Sequence, residues 1–417
     1  MTKCDPPPQV TSAGQSRRSF LKTGAAAAAL AGSSRFAFAA PTGKRKVRIG
    51  VVGGNFGANF YFHQHPDAVV TAVSDLRPER RDKLMKTYRC NKSHESLEKL
   101  ILDKNVDAVF VATPAPDHAR HVAMVLGAGK HVMSAVPAAF GSLEDCEKLI
   151  DHVKNSGLLY MMSETSYFQQ ATISAREFYK QGQFGKLYYT KSEYHHDGLE
   201  ELYFENGQRT WRYGITPMWY PTHCTAHFIS VTGERLTEVS CVGWGDDSPV
   251  LKDNAYGNPF WNETAFFKSR SGLPFAVDVW WKGAHRGGER AEWYGDKMSF
   301  LGADPNGLGP HEGRVVQSSS RLGTDDGGFV RREGTVEAHK DPQYWNTDRL
   351  PQPLRFDSGH AGSHTFLTHE FVEAVAHLRK PVVDVYEAIA YTAPGIVAHE
   401  SAMKGGVQMK IPQFDAA

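Results

Sequence analysis

Between Lys46 and about Glu164 the chain alternates short apolar runs with amphipathic stretches, and few folds accommodate that pattern. The apolar runs are KVRIGVVG, AVVTAVSD, VDAVFVAT, KHVMSAV and LLYMMSE. They are nearly uniformly apolar, as strands covered on both faces must be. Between them lie PERRDKLMKTY, SLEKLILDKN, HARHVAMVLGAG and SLEDCEKLIDHVKNSG, each with apolar residues at helical spacing. Strand–helix alternation of this kind predicts an α/β, doubly wound parallel sheet, the usual frame for a bound nucleotide.

A glycine-rich segment, GVVGGNFGANF (50 to 60), follows the first strand and is expected to open a helix. Against the dinucleotide fingerprint G-x-G-x-x-G/A, Gly53 fills the first place, Asn55 the second and Ala58 the third. Asn55 departs from the pattern, and Gly54, Phe56 and Gly57 join it as the backbone expected around a pyrophosphate. Asp75 closes the second strand, 22 residues after Gly53, where a carboxylate takes ribose hydroxyls; a strand-end turn aspartate is the other reading. A carboxylate there repels a 2′-phosphate, so NAD is expected rather than NADP, although Arg77, Arg80 and Arg81 stand close by in sequence. Thr113, Pro114 and His118, in ATPAPDH, fall at the carboxyl end of a later strand, on the ligand edge of such a sheet.

After a helix over about 169 to 185 the texture changes. KLYYTKSEYHH, TEVSCVGWG, ETAFFKSR, LPFAVDVWW, RAEWYGDKMSF and GRVVQSSS read as strands, with SRSGLP as a hairpin turn. A mostly antiparallel sheet of six or more strands is expected, then helices in HTFLTHEFVEAVAHLRK and YEAIAYTAPGIVAHESAMKGG. The Gly-, Asp- and Pro-rich 303 to 358 reads as a long irregular excursion.

Charge and termini exclude several functions. The formal net charge of the 417 residues is +1, but residues 1 to 39 hold five cations against Asp5, which is +4, so the remainder is −3. A mildly acidic body does not suit sequence-independent nucleic-acid binding. SRRSFLK (16 to 22), the apolar GAAAAALAG and the small-x-small Ala37-Phe38-Ala39 read as a twin-arginine signal peptide over 1–39, with a mature start near Ala40 and an extracytoplasmic destination. No apolar run long enough to cross a membrane follows it. Cys90, Cys146, Cys224 and Cys241 are scattered, without CxxC, and are expected to be free and buried.

MWYPTHCTAH (218 to 227) packs Tyr220, His223 and His227 into ten residues. The imidazoles are four apart, one face of a helix. A proton relay, half a metal site and ordinary packing all fit these residues alone.

TPAPDHARHVAMVLGAGKHVMSAVPAA resembles the T-P-x-x-x-H … A-G-K-H-V-x-x-E-K-P segment of the Gfo/Idh/MocA oxidoreductases, as do ERAEWYGDKMSF and GIVAHESAMKGGVQMKIP. The likeness spans roughly 46 to 412. It implies a Rossmann domain over 40–164, an open-faced α+β sheet domain over 165–417, NAD, and a sugar or polyol bound between the two. Ala135-Val136-Pro137 stands where the family has E-K-P, so its catalytic lysine is missing, and His223 occupies the Asp position of D-x-G-x-H while His227 keeps the His. One branch resembles the chain more closely: NAD-dependent glycosidases similar to α-N-acetylgalactosaminidase. They carry E-V-P-A-A at 135–139, an E-N-x-x-Y-like segment matched by Glu164 and Tyr167, W-R matched by Trp211-Arg212, and Y-P-T-H matched by Tyr220 to His223.

That resemblance implies His223, Tyr167 and Tyr220 as catalytic residues, with His223 the first choice of base and Tyr167 the second. Arg212, Tyr194 and His227 are expected to face substrate, and Ala135, Val136, Glu164 and Thr165 to complete the cofactor site. No metal is expected. The expected partner is a small carbohydrate, with neither nucleic acid nor membrane, in a homo-oligomer. Tightly held, recycled NAD would suit an exported enzyme performing oxidation–elimination glycoside cleavage. An ordinary sugar or polyol dehydrogenase and an inactive sugar-binding protein with structural NAD are the other readings.

Overall fold

The computed structural model describes residues 46 to 415, apart from 197, 285–286, 305–307 and 325–329. The expected signal peptide therefore lies outside the described residues. Six parallel strands form the first sheet: β1 (Val47–Val52), β2 (Ala68–Ser74), β3 (Ser93–His94), β4 (Ala108–Val111), β5 (His131–Ser134) and β6 (Tyr160–Met162). Their order, β3-β2-β1-β4-β5-β6, reverses direction at β1, which puts the switch point and its crevice between β1 and β4. Helices α1 (Pro78–Tyr88), α2 (Leu97–Ile101), α3 (His118–Gly127) and α4 (Leu143–Ser156) fall within the four amphipathic stretches. Ser142 caps α4 by accepting the Asp145 N–H, and Gly157 ends it in the left-handed conformation.

The helix expected after the glycine-rich loop is absent. Residues Phe56–Asn59 and Phe62–Gln64 make two short 3₁₀ turns instead. The cause is packing: Phe60 and Phe62 are both fully buried against Phe110 of β4, and a period of two pulls the chain inward as no helix could. The sheet face left bare is covered by a helix from the far end of the chain.

That helix follows a second sheet. Helix α5 (Gln170–Lys180) leads into β7 (Leu187–His195), a small hairpin β8 (Phe204–Glu205) and β9 (Gln208–Arg209), and the buried helix α6 (Thr222–Thr232). Then come β10 (Leu236–Trp244), α7 (Pro249–Lys252), β11 (Asn262–Ser269), β12 (Pro274–Trp280), β13 (Gly288–Gly295), β14 (Met298–Leu301), β15 (Gly313–Thr324) and β16 (Val330–His339). Helices α8 (Gly359–His377) and α9 (Val385–Met403) and the short β17 (Met409–Lys410) finish the chain. The sheet has nine strands, antiparallel except where β7 pairs β12, in the order β16-β15-β14-β13-β7-β12-β11-β10-β17. The expected irregular excursion over 303 to 358 is corrected in part: β15 and β16 pair as a hairpin within it. The four cysteines are free and buried.

Helix α8 packs Leu367, Phe371, Val372 and Val375 into one cluster with Ile49, Val51, Phe60 and Phe110 of the first sheet. Thr368 accepts the Tyr61 N–H, and His364 bonds the Asn59 carbonyl at 3.0 Å. The core of the parallel sheet thus crosses the expected boundary at 164/165. Phe60→Ala, which empties the centre of this cluster, is expected to cost about 3–5 kcal/mol, readable as a fall in the urea midpoint at unchanged m-value.

Candidate active site

The crevice at the switch point opens into a cavity of about 810 Å³. Its floor is the run from Val52 to Phe56, Asp75 and Arg77 after β2, and Ala112 to Pro114 after β4. Gly53 adopts φ +101°, and a Cβ there would lie 2.2 Å from the Ala112 carbonyl oxygen, so only glycine fits. A Cβ on Gly54 would lie 2.7 Å from the Arg80 carbonyl oxygen. The tight-packing role expected of Ala58 falls instead to Gly57, whose Cβ would meet Val51 and Ala112 at 3.1 and 3.2 Å. Asp75 accepts the Gly54 and Arg77 N–H groups at 2.7 and 2.9 Å, which fixes its carboxylate in the floor of the cavity. A bare glycine backbone, a carboxylate 21 positions on from Gly54 and a cleft of this volume fit a dinucleotide. Gly53, Gly54, Asn55, Phe56, Asp75, Thr113 and Pro114 line it as expected.

Other residues assigned to the cofactor lie elsewhere. His118 is buried, with Nδ1 2.8 Å from the Pro137 carbonyl and Nε2 2.8 Å from that of Thr113. It braces two strand-end loops. Ala135 and Val136 are buried and not among the residues lining the cavity. Glu164 and Thr165, at the carboxyl end of β6, turn to His223.

His223 is the centre of a second constellation. Its Nδ1 lies 2.9 Å from Glu164 Oε1, 3.3 Å from Thr165 Oγ1 and 3.5 Å from Glu289 Oε1. Glu164 is fully buried and also accepts the Ser166 N–H at 2.9 Å. Glu289, on β13 directly opposite Tyr194 of β7, accepts Ser166 Oγ and the Gln169 amide. The rings of Tyr194 and Tyr220 close the other side, with centroids 4.6 and 5.7 Å from His223. Arg212 stacks on Trp211 at 4.3 Å and lines the cleft, joining the two constellations.

Burial alone would push the His223 imidazole down, but the two carboxylates override it and raise its pKa to about 9. Burial opposes ionisation of Glu164, yet the His223 charge holds it below the usual carboxylate range. Burial raises the phenols of Tyr194 and Tyr220, and Arg212 partly opposes this at Tyr220. At neutral pH the group is therefore an imidazolium between two carboxylates, with Nδ1 committed to Glu164 and Nε2 left for a substrate hydroxyl.

The sequence of the site turn has its own support. Buried Glu263 accepts the Met218 N–H at 2.8 Å and pairs with His399 Nδ1 at 2.9 Å. This anchors Pro217–Trp219, the 3₁₀ turn that leads into Tyr220 and α6.

Two assignments are corrected. Tyr167 lies beneath the Arg176 guanidinium at 4.2 Å and against Phe168 at 4.7 Å, not in the ring cluster around His223. Tyr194, expected to face substrate, takes the place beside the imidazole. His227 is buried between Ser192 (2.8 Å) and Gln169 (3.3 Å), and burial depresses its pKa to about 3. It reaches the site only through Gln169, which bonds Glu289. Glu289 itself was missed: nothing in GGERAEWYG distinguishes it from any exposed strand carboxylate. His360 and His364 bond each other at 2.8 Å beside Phe56, at the edge of the glycine loop.

Glu164, His223 and Glu289 also have donors close enough for a metal, as do His65, His369 and Glu373. In the second group His65 already accepts the Asp67 N–H at Nδ1 and meets His369 at Nε2, 2.9 Å away, so its ring has no free nitrogen. In the first, the raised proton affinity of His223 favours an ion pair over a ligand.

The loop, the carboxylate and the parallel sheet define a dinucleotide-binding fold. Residues 47–164 match the Gfo/Idh/MocA oxidoreductase family, NAD-binding Rossmann fold. It is 25% identical to a glycosyl hydrolase family 109 protein of Stenotrophomonas maltophilia, over 96% of this chain and 95% of that one. It is 23% identical to an alpha-N-acetylgalactosaminidase of Tannerella forsythia, over 76% of this chain and 72% of that one. Among solved structures, levoglucosan dehydrogenase with NADH and levoglucosan superposes at a TM-score of 0.70 and 17% identity, covering 88% of this chain and 100% of the other. An aldose–aldose oxidoreductase from Caulobacter crescentus gives 0.65 at 18% identity, with coverage of 88% and 100%. At that identity the likeness is one of fold.

His223 gains proton affinity on folding, so it stabilises the native state most below its unfolded pKa of about 6.5. That contribution is lost as pH rises through about 9. NMR titration of the His223 ring is expected to report a midpoint near 9. Glu289→Gln should bring the midpoint down, whereas His227→Asn should leave it nearly in place.

Proposed function

We propose that the chain is an exported enzyme that cleaves a glycoside by transient oxidation, with NAD held and regenerated in each cycle. The carrying observation is the carboxylate-held imidazole of His223, set beside Arg212 and the dinucleotide cleft, in a chain with Val136 where the family resemblance expects lysine. The names of the glycosidase relatives support the same substrate class.

NAD, when bound, would accept a hydride from a sugar carbinol and later return it. The residues supply the proton chemistry. Glu164 fixes the Nδ1–H tautomer of His223, so Nε2 is the base for the C3 hydroxyl proton. The resulting C3 ketone acidifies the C2 proton. Loss of the C2 proton expels the C1 group with its electron pair, and the departing oxygen leaves protonated as the alcohol; water then adds across the C1–C2 double bond, oxygen to C1 and hydrogen to C2, and the hydride returns to C3 and the proton to its oxygen. The net change is hydrolysis, and the cofactor ends as it began. Tyr220 and Tyr194 are neutral hydroxyl donors toward the sugar, and Arg212 orients it. Because the base is the deprotonated ring, the rate should rise with pH toward about 9.

Two experiments test this reading. In D₂O, the protein with bound NAD is expected to exchange hydrogen at C2 of an N-acetylhexosaminide without accumulating NADH. His223→Ala should lose about 10²- to 10⁴-fold in rate, while Tyr167→Phe and His227→Ala lose far less. Steady NADH production undiminished in His223→Ala would instead indicate an ordinary dehydrogenase using another base. For export, Arg17→Lys with Arg18→Lys is expected to leave precursor in the cytoplasm, checked by fractionation; unimpaired export would refute the twin-arginine reading.

A further inference from the structure

The β8–β9 hairpin lines the cleft on the side of Asp75, Arg77 and Arg80. Its turn, Asn206-Gly207, has both residues at positive φ, the conformation that tight two-residue hairpins require. Its base is anchored to the second half of the molecule. Tyr203 packs on Tyr213 and Trp261, and Arg209 pairs with Asp253 at 2.8 Å while stacking on Tyr213 at 4.2 Å. Its free strand reaches across to the first sheet, where one oxygen of Glu205 pairs with both Arg77 and Arg80. Those arginines follow Asp75, whose carboxylate accepts the Arg77 N–H. Glu205, Arg77, Arg80 and Asp75 all line the same cavity.

We propose that Glu205 is a latch and a specificity determinant: it fastens the hairpin over the bound dinucleotide and neutralises the two arginines that would otherwise attract a 2′-phosphate. Asp75 repels that phosphate from the floor, and Glu205 does so from the roof. A dinucleotide leaves only when the hairpin lifts, which requires both ion pairs to break. The pairs are about one-third exposed, so each is weak by itself and screened by salt. The latch is therefore expected to act on the rate of release more than on the fold. The inference rests on the dinucleotide reading of the cleft and is independent of the sugar chemistry.

The test uses the mature protein loaded with NADH. Release is followed by loss of NADH fluorescence on mixing with excess NAD⁺. Glu205→Gln is expected to speed release roughly tenfold at low salt and to abolish the acceleration that added salt gives the unsubstituted protein. NADP⁺ affinity should rise in the same variant by a similar factor. Arg77→Gln with Arg80→Gln should also speed release, without the gain in NADP⁺ affinity, and adding Glu205→Gln to that pair should change release no further. Unchanged release and unchanged NADP⁺ discrimination in Glu205→Gln would overturn the latch. Failure of the unsubstituted protein to bind NADH, or NADH binding indifferent to Asp75→Ala, would overturn the dinucleotide reading instead.

Discussion

A parallel sheet must be covered on both faces, and this chain omits the helix that ordinarily covers one of them first. Phe60 and Phe62 occupy the space in which that helix would begin, so the cover comes from α8, about 300 positions further on. The return has a positional consequence. It brings His360 and His364 to the glycine loop and ties the two sheets into one packed unit, so neither half of the molecule completes its core alone. The same interlocking fixes β6, from whose carboxyl end Glu164 projects, relative to α6 and β13. The short distances around His223 depend on that alignment.

The active constellation is assembled from three places in the sequence. Glu164 comes from the parallel sheet, His223 from the first turn of a buried helix, and Glu289 from the open-faced sheet. Each carboxylate is held by its own donors: Ser166 N–H for Glu164, and Ser166 Oγ and Gln169 for Glu289. The imidazole is thus placed between anions already fixed in orientation, and its raised proton affinity follows from that geometry rather than from exposure. Behind it, the Glu263–His399 pair holds the entering turn. Such layered support is what keeps a buried charged group usable instead of merely costly.

Much of this was legible in the chain. The apolar strands and amphipathic helices gave the doubly wound sheet, because period and burial leave little choice. Gly53 and the cleft-lining Asp75 were legible because a tight backbone approach admits only glycine and a strand-end carboxylate in that place was expected at the ligand edge of the sheet. Tyr220 and His223 were found through their motif. The illegible parts are those decided by long-range packing. Phe60 and Phe62 abolish a helix that local spacing suggests, because their partner Phe110 is remote. Glu289 joins the site only through strand register, which a lone carboxylate in an alternating strand does not announce. Tyr167 sits within four residues of Glu164, yet the 3₁₀ turn between them sends its ring away, under Arg176. His227 shares a helix face with His223 but lies one turn deeper.

The four-residue turn after β1 has one more effect. A full helix there would aim about half a positive charge of macrodipole at the pyrophosphate. A single 3₁₀ turn supplies little of it, and two of the cations that line the cleft, Arg77 and Arg80, already face Glu205. A shorter turn thus shifts the work of holding a pyrophosphate from a helix dipole to the individual N–H groups of the glycine loop.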